Sequence, residues 1–153
     1  MVNNEIIILR NVANILRGQN LKVGYYRNLA DWKVAMGQNF PVILIEDGDE
    51  FEVESQNLSV QKEFPVHIWV YHQLKKNLTE TMTDLCTLIE DTLLDDSFLN
   101  TLNSAITGTV SLIKWTATEK GDHLESFDGR SVGFTDDRLA WRLSFLFNFH
   151  TAR

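Results

Sequence analysis

Residues 138–150, Arg138-Leu-Ala-Trp-Arg-Leu-Ser-Phe-Leu-Phe-Asn-Phe-His150, decide the fold. Leu139, Trp141, Leu143, Phe145, Phe147 and Phe149 take alternate positions, and Arg138, Ala140, Arg142, Ser144, Asn148 and His150 fall between them. Side chains leave a strand on opposite sides in turn, so a period of two over this length predicts a β-strand with one buried aromatic face. The stretch lies near the end of the chain, where segments fray unless a sheet ties them down. On a sheet edge, a strand this apolar would template aggregation. It is therefore expected inside a sheet, with its aromatic face covered by helices.

Working back from it, residues 106–118 predict a neighbouring strand, and 119–136, EKGDHLESFDGRSVGFTD, break all periodicity. An excursion of that length inside a domain is usually a binding loop or arm. Residues 58–73 predict a long extended run interrupted at Phe64-Pro65, with Val66, Ile68 and Val70 on one face and His67, Trp69 and Tyr71 on the other. Both faces are bulky, so the second face is expected to be partly covered too. The best-marked helix follows Asn77, which forms a capping box with Glu80, and carries Leu78, Met82, Leu85, Ile89 and Leu93 at helical spacing. A short helical turn around Phe98, Leu99 and Leu102 comes next.

Upstream, residues 3–17 predict a helix capped by Asn3 or Asn4 and ended by Gly18, with Ile6, Leu9, Ala13 and Leu16 on one face. Residues 21–27 and 40–46 predict strands, Asp47-Gly48-Asp49 a turn, and 51–54 a hairpin arm. Residues 29–36 carry only a weak helical pattern. The expectation is one α+β domain over residues 1–153: a mostly antiparallel β-sheet with two main helices packed on one face, and a long loop or arm at 119–136.

Composition narrows function mainly by exclusion. The 153 residues carry a net charge of −7 and no clustered basic face, which argues against duplex DNA binding. The single cysteine, Cys86, gives no disulfide framework. The opening MVNNEIIILR has the pattern of neither a signal peptide nor a membrane span. His67 and His72 lie five apart on a strand, so they face opposite sides and do not share a metal. His123 and His150 have no Cys partners or HExxH context. Asp47-Gly-Asp49-Glu50 lacks the ligand spacing of a calcium loop. No nucleophile elbow or phosphate-cradling glycine pattern occurs. No enzymatic activity, metal or cofactor is expected. The aromatic content points instead to a subunit interface, where Trp, Tyr and Arg concentrate binding energy.

The span Phe40-Pro-Val-Ile-Leu-Ile-Glu46, the hairpin after it and Phe64-Pro-Val-His-Ile-Trp-Val-Tyr71 resemble the tail terminator (tail completion) proteins of long-tailed bacteriophages. So do the helix bearing Leu85, Leu88, Ile89 and Leu93, the run Leu94-Asp95-Asp96-Ser-Phe-Leu99 and the final strand ending Phe145-Leu-Phe-Asn-Phe149. The likeness covers nearly the whole chain as an order of elements and apolar positions. It implies a homo-oligomer, typically a hexameric ring, at the head-proximal end of the tail tube, where it stops polymerisation and meets a neck or connector protein. Genomic DNA would pass through the lumen without specific binding, and the subunit would be made in the host cytoplasm and end in the virion. Subunit or tube contacts are then expected from His123, Phe127, Arg130 and Phe134 of the 119–136 loop, from Trp69 and Tyr71, and from the 47–57 hairpin. The alternatives are another phage neck or head–tail joining ring protein, or a small-molecule-binding α+β domain.

Overall fold

In the computed structural model the 138–150 run is the core of a fifteen-residue strand, Arg138–Ala152, flanked on both sides. The structure describes residues 3–28, 30–31, 41–55, 59–73, 77–121 and 138–152. Within them the strands are β1 (Lys22–Tyr25), β2 (Val42–Asp47), β3 (Phe51–Ser55), β4 (Ser59–Gln73), β5 (Thr109–Gly121) and β6 (Arg138–Ala152). The helices are α1 (Asn4–Arg17), α2 (Leu78–Leu93) and α3 (Asp96–Ala105). The sheet runs β1-β2-β4-β6-β5, with β3 paired to the first half of β4. All pairs are antiparallel except β1 and β2, which run parallel.

The expected two-helix layer is corrected to three helices. The run read as a short turn around Phe98 is a ten-residue helix, α3. Asp95 starts it by accepting the Ser97 N–H at 2.8 Å on Oδ1. Phe98 and Leu102, one turn apart, then bury completely against the sheet side of the layer. Only three large apolar residues, Phe98, Leu99 and Leu102, mark this helix in the sequence, too few for periodicity to show its length.

Other local expectations shift for similar reasons. Asn77 precedes α2 in a left-handed conformation (φ 62°) and its side chain makes no cap hydrogen bond, so the capping box with Glu80 does not form. Gly18 is right-handed (φ −63°), and the left-handed residue after α1 is Asn20 (φ 61°). Asn3, as expected, caps α1 by accepting from the Glu5 N–H at 2.7 Å. Strand β5 starts at Thr109, not at residue 106, and runs to Gly121, so Glu119, Lys120 and Gly121 belong to the sheet rather than to an arm.

Pro65 does not interrupt β4. Its carbonyl accepts the Gly48 N–H at 2.8 Å on the side where β2 has ended, opposite Val66, and β3 begins only at Glu63. The N–H that proline lacks would face this gap, so no ladder hydrogen bond is lost. Gly48 is required for the close approach, since a Cβ there would sit 2.8 Å from Pro65 Cβ.

One continuous core lies between the helices and one face of the sheet. Phe64, Val66, Ile68 and Val70 of β4 meet Phe147, Phe145, Leu143 and Trp141 of β6 in register. Ile8, Val12 and Leu16 of α1, Met82 and Ile89 of α2, and Phe98 and Leu102 of α3 close over them. Each such side chain contributes about 1.5–3 kcal/mol when fully removed from water.

Candidate interaction surfaces

The opposite sheet face carries the aromatic residues expected at an interface. Trp69 and Tyr71 leave β4 on that face and are 6% and 0% exposed, buried within the subunit itself. Their rings stack, with centroids 6.1 Å apart, and Tyr26 stacks on the far side of Trp69 at 5.6 Å. Trp69 Nε1 donates to Glu46 Oε1 at 3.1 Å, and the Arg142 guanidinium lies 5.4 Å from the indole centroid. Arg142 also pairs with Glu119 of β5, a largely exposed partner in a class of contact worth about 0–1 kcal/mol. Beside them His67 Nδ1 hydrogen-bonds Ser144 Oγ at 2.8 Å. His123, Phe127, Arg130 and Phe134 lie outside the described residues, as does most of the 119–136 segment, which joins β5 to β6.

Strand β5 forms one border of the sheet, and among the described residues no strand pairs with its outer side. At its start Asn103 of α3 takes the place of a neighbour. Its amide donates to the Val110 carbonyl at 3.1 Å and accepts the Val110 N–H at 2.6 Å. Beyond that point the edge opens, broken by irregularities at Val110/Leu112 and Trp115/Ala117 that discourage open-ended pairing. Leu112 and Trp115 are 51% and 43% exposed there. Trp115 shares the helix face with its partner Phe145, yet its Nε1 reaches only Thr118 Oγ1, at 3.0 Å. Aromatic content by itself does not single out Trp115, and nothing in the sequence marks Leu112, because exposure depends on which strand ends up at the border.

The other border is the four-residue β1. Beside it opens a cleft of about 330 Å³, floored by Leu21, Val23, Val42 and Leu44 and flanked by Arg17, Lys22 and Asp31. Arg17 holds this corner by donating to the Val23 carbonyl at 3.1 Å.

No protein-family model matches this chain, and no curated protein matches its sequence. The surfaces must therefore be judged on their own chemistry. Cys86 is buried, and its thiol is pushed up to about 12 by that burial and by the nearby Glu90 charge, which leaves it a packing group rather than a nucleophile. Among the described residues, no three His, Cys, Asp or Glu groups gather as metal ligands.

A third feature is electrostatic. At the start of α1, Glu5 meets Glu50, whose carboxylate is 2.7 Å from Lys62 Nζ, while Arg27 Nε holds Asp47 at 2.8 Å close by. Burial, then the hydrogen bond and charge of Glu50, then the charge of Asp47 push the Glu5 carboxyl up to about 7, against the pull of Lys62. An acid whose folded pKa lies above its unfolded value binds more protons when folded, so stability falls as pH rises from about 4.5 to about 7 and is level above that. Glu5→Gln mimics the protonated form. It should match the wild type below pH 4.5 and be the more stable protein at pH 8, as measured by urea midpoints across that range. A wild-type midpoint that rises between pH 5 and 7 through Glu5 would contradict this.

Proposed function

We propose that this chain is a phage structural subunit that forms a ring at the head-proximal end of a tail tube, halts tube growth and offers a surface to the neck or connector. The reading rests on the resemblance of residues 40–149 to tail terminator proteins. The observation that carries it furthest is the apolar exposure of Leu112 and Trp115 along the open β5 edge. Apolar groups on an unpaired sheet border invite strand pairing with another chain. A closed ring uses such a border productively, because its heterologous interface joins two different surfaces of neighbouring copies. The sheet offers two different borders, β1 and β5, at opposite ends of one layer. The net charge of −7 suits a lumen through which DNA passes without sticking.

Electron microscopy of a lysate from phage lacking this gene tests the reading. Tailless filled heads beside tubes of uncontrolled length are the expected result. Tails of normal length that fail to join heads would move the protein to a neck or head–tail joining ring. Intact virions would reject any structural role in tail assembly.

A further inference from the structure

The backbone is finished differently at the two borders of the sheet. The N–H of Tyr26, the residue after β1, donates to the Ile45 carbonyl of β2 at 2.8 Å. Successive residues of a strand turn their N–H and C=O groups to opposite sides, so Val23 and Tyr25 turn theirs away from β2, toward the border. Among the described residues no strand lies there. Side chains and a turn take its place. The Tyr25 N–H donates to Asp31 Oδ2 at 2.7 Å, the Tyr25 carbonyl accepts the Asn28 N–H at 3.1 Å, and the Val23 carbonyl accepts from Arg17 Nη2 at 3.1 Å. Three of the four outward groups of Val23 and Tyr25 are thus engaged. The local sequence suits this. Asn28 turns the chain back after β1, its Oδ1 accepting the N–H groups of Ala30 at 2.9 Å and Asp31 at 3.3 Å. Asp31 then passes over Gly24, where an added Cβ would sit 2.9 Å from Asp31 Cβ. Glycine inside a strand weakens it, and close approach of another group is a reason for it to be there. At the β5 border Asn103 covers the Val110 groups alone, and Leu112 and Trp115 beyond it stay exposed.

We propose that Arg17 and Asp31 are edge guards, which occupy the outward hydrogen-bonding groups of β1 so that no strand of another copy adds there. Free N–H and C=O groups on an edge strand template pairing with another chain. With both borders free, a strand of one copy would pair with β1 of the next and the sheet would continue from molecule to molecule, a contact that does not close and so grows without limit. Closing one border stops that growth whatever happens at the other. A carboxylate also resists displacement, since it holds an N–H about twice as strongly as the neutral carbonyl that an incoming strand offers. In any assembly of this chain, a neighbour then meets the β1 border through side chains, and the sheet does not run on across the contact. The guard works the same way whether or not the chain closes a ring.

Amide hydrogen exchange followed by NMR, together with sedimentation velocity, tests this on three variants of the full chain. Asp31→Ala removes the acceptor, Asp31→Asn keeps a neutral one, and Arg17→Ala changes an exposed side chain of α1. In dilute Asp31→Ala the Tyr25 amide should exchange about tenfold faster than in the wild type, or more. The Leu44 and Ile45 amides, in a strand paired on both sides, should keep their wild-type rates and show that the fold is intact. At higher concentration Asp31→Ala should form species larger than any of the wild type, and its Tyr25 amide should slow again as a strand pairs with it. Asp31→Asn should stay near the wild type, and Arg17→Ala should show the same association more weakly. A Tyr25 amide that exchanges at the wild-type rate in Asp31→Ala would overturn the guard. Fast exchange without larger species would overturn it equally, since an open edge that attracts no strand needs no guard. If Asp31→Ala unfolds, Arg17→Ala decides: larger species support the guard, and a wild-type distribution overturns it.

Discussion

Gly108→Ala is expected to lower the melting temperature by roughly 4–24 °C, since it costs about 2–6 kcal/mol and each kcal/mol shifts a domain of this size by about 2–4 °C. Gly108 joins α3 to β5 at φ +111°, a region that side-chain-bearing residues rarely adopt. The strain alone costs about 1–3 kcal/mol. The added Cβ would also fall 2.0 Å from the His150 carbonyl oxygen and 3.2 Å from Thr151 Cα. Both are backbone atoms of β6, and His150 is the register partner of Thr109, so they cannot retreat without opening the β5–β6 ladder where it begins. Overpacking of this kind adds about 1–3 kcal/mol. Thermal unfolding followed by circular dichroism reads the effect. A melting point within about 2 °C of wild type would show that the linker has another conformation in solution.

Phe147→Ala is the second large effect. Phe147 is fully buried and sits directly opposite Phe64 in β4, also fully buried, with Ile113 of β5 on its other side. Strands pin it on both sides and the helices lie above, so the surroundings collapse poorly into the vacated space. Truncation should cost about 3–5 kcal/mol, the lost transfer energy plus the cavity. The urea midpoint should fall with the slope of the transition unchanged, because the surface exposed on unfolding is nearly the same. A loss under about 1 kcal/mol would mean that the Phe64–Phe147 layer is looser than its burial indicates.

These two positions were unequally legible. Phe147 lies in a run whose alternation predicts both its strand and its buried face, and burial bears this out for Trp141, Leu143, Phe145, Phe147 and Phe149. Gly108 looks like any glycine between two elements, because its constraint comes from His150, more than forty residues away in the chain. The same division holds for the surfaces. The sequence marked Trp69 and Tyr71 as aromatics on the second face of their strand. Their stack with Tyr26 depends on bringing β4 against the β1–β2 end of the sheet. The acidic pair Glu5 and Glu50 is likewise joined only by α1 crossing the β2–β3 turn.

What the sequence by itself determined is whatever one local periodicity can encode. That covers the α+β class, the strand character of β4 and β6, and the buried stripe of α2, whereas α1 buries Ile8, Val12, Ala13 and Leu16 and leaves Ile6, expected on its inner face, 45% exposed. A strand's two faces and a helix's one stripe are set by the spacing of adjacent side chains, so they need no partner to be read. Tertiary structure alone decided that α3 is a full third helix, that β1 runs parallel to β2 and that β5 lies at the border. Strand order and element length depend on long-range pairing, whose hydrogen bonds join backbone groups common to every residue. Side-chain sequence does not specify such contacts until the chain has closed on itself.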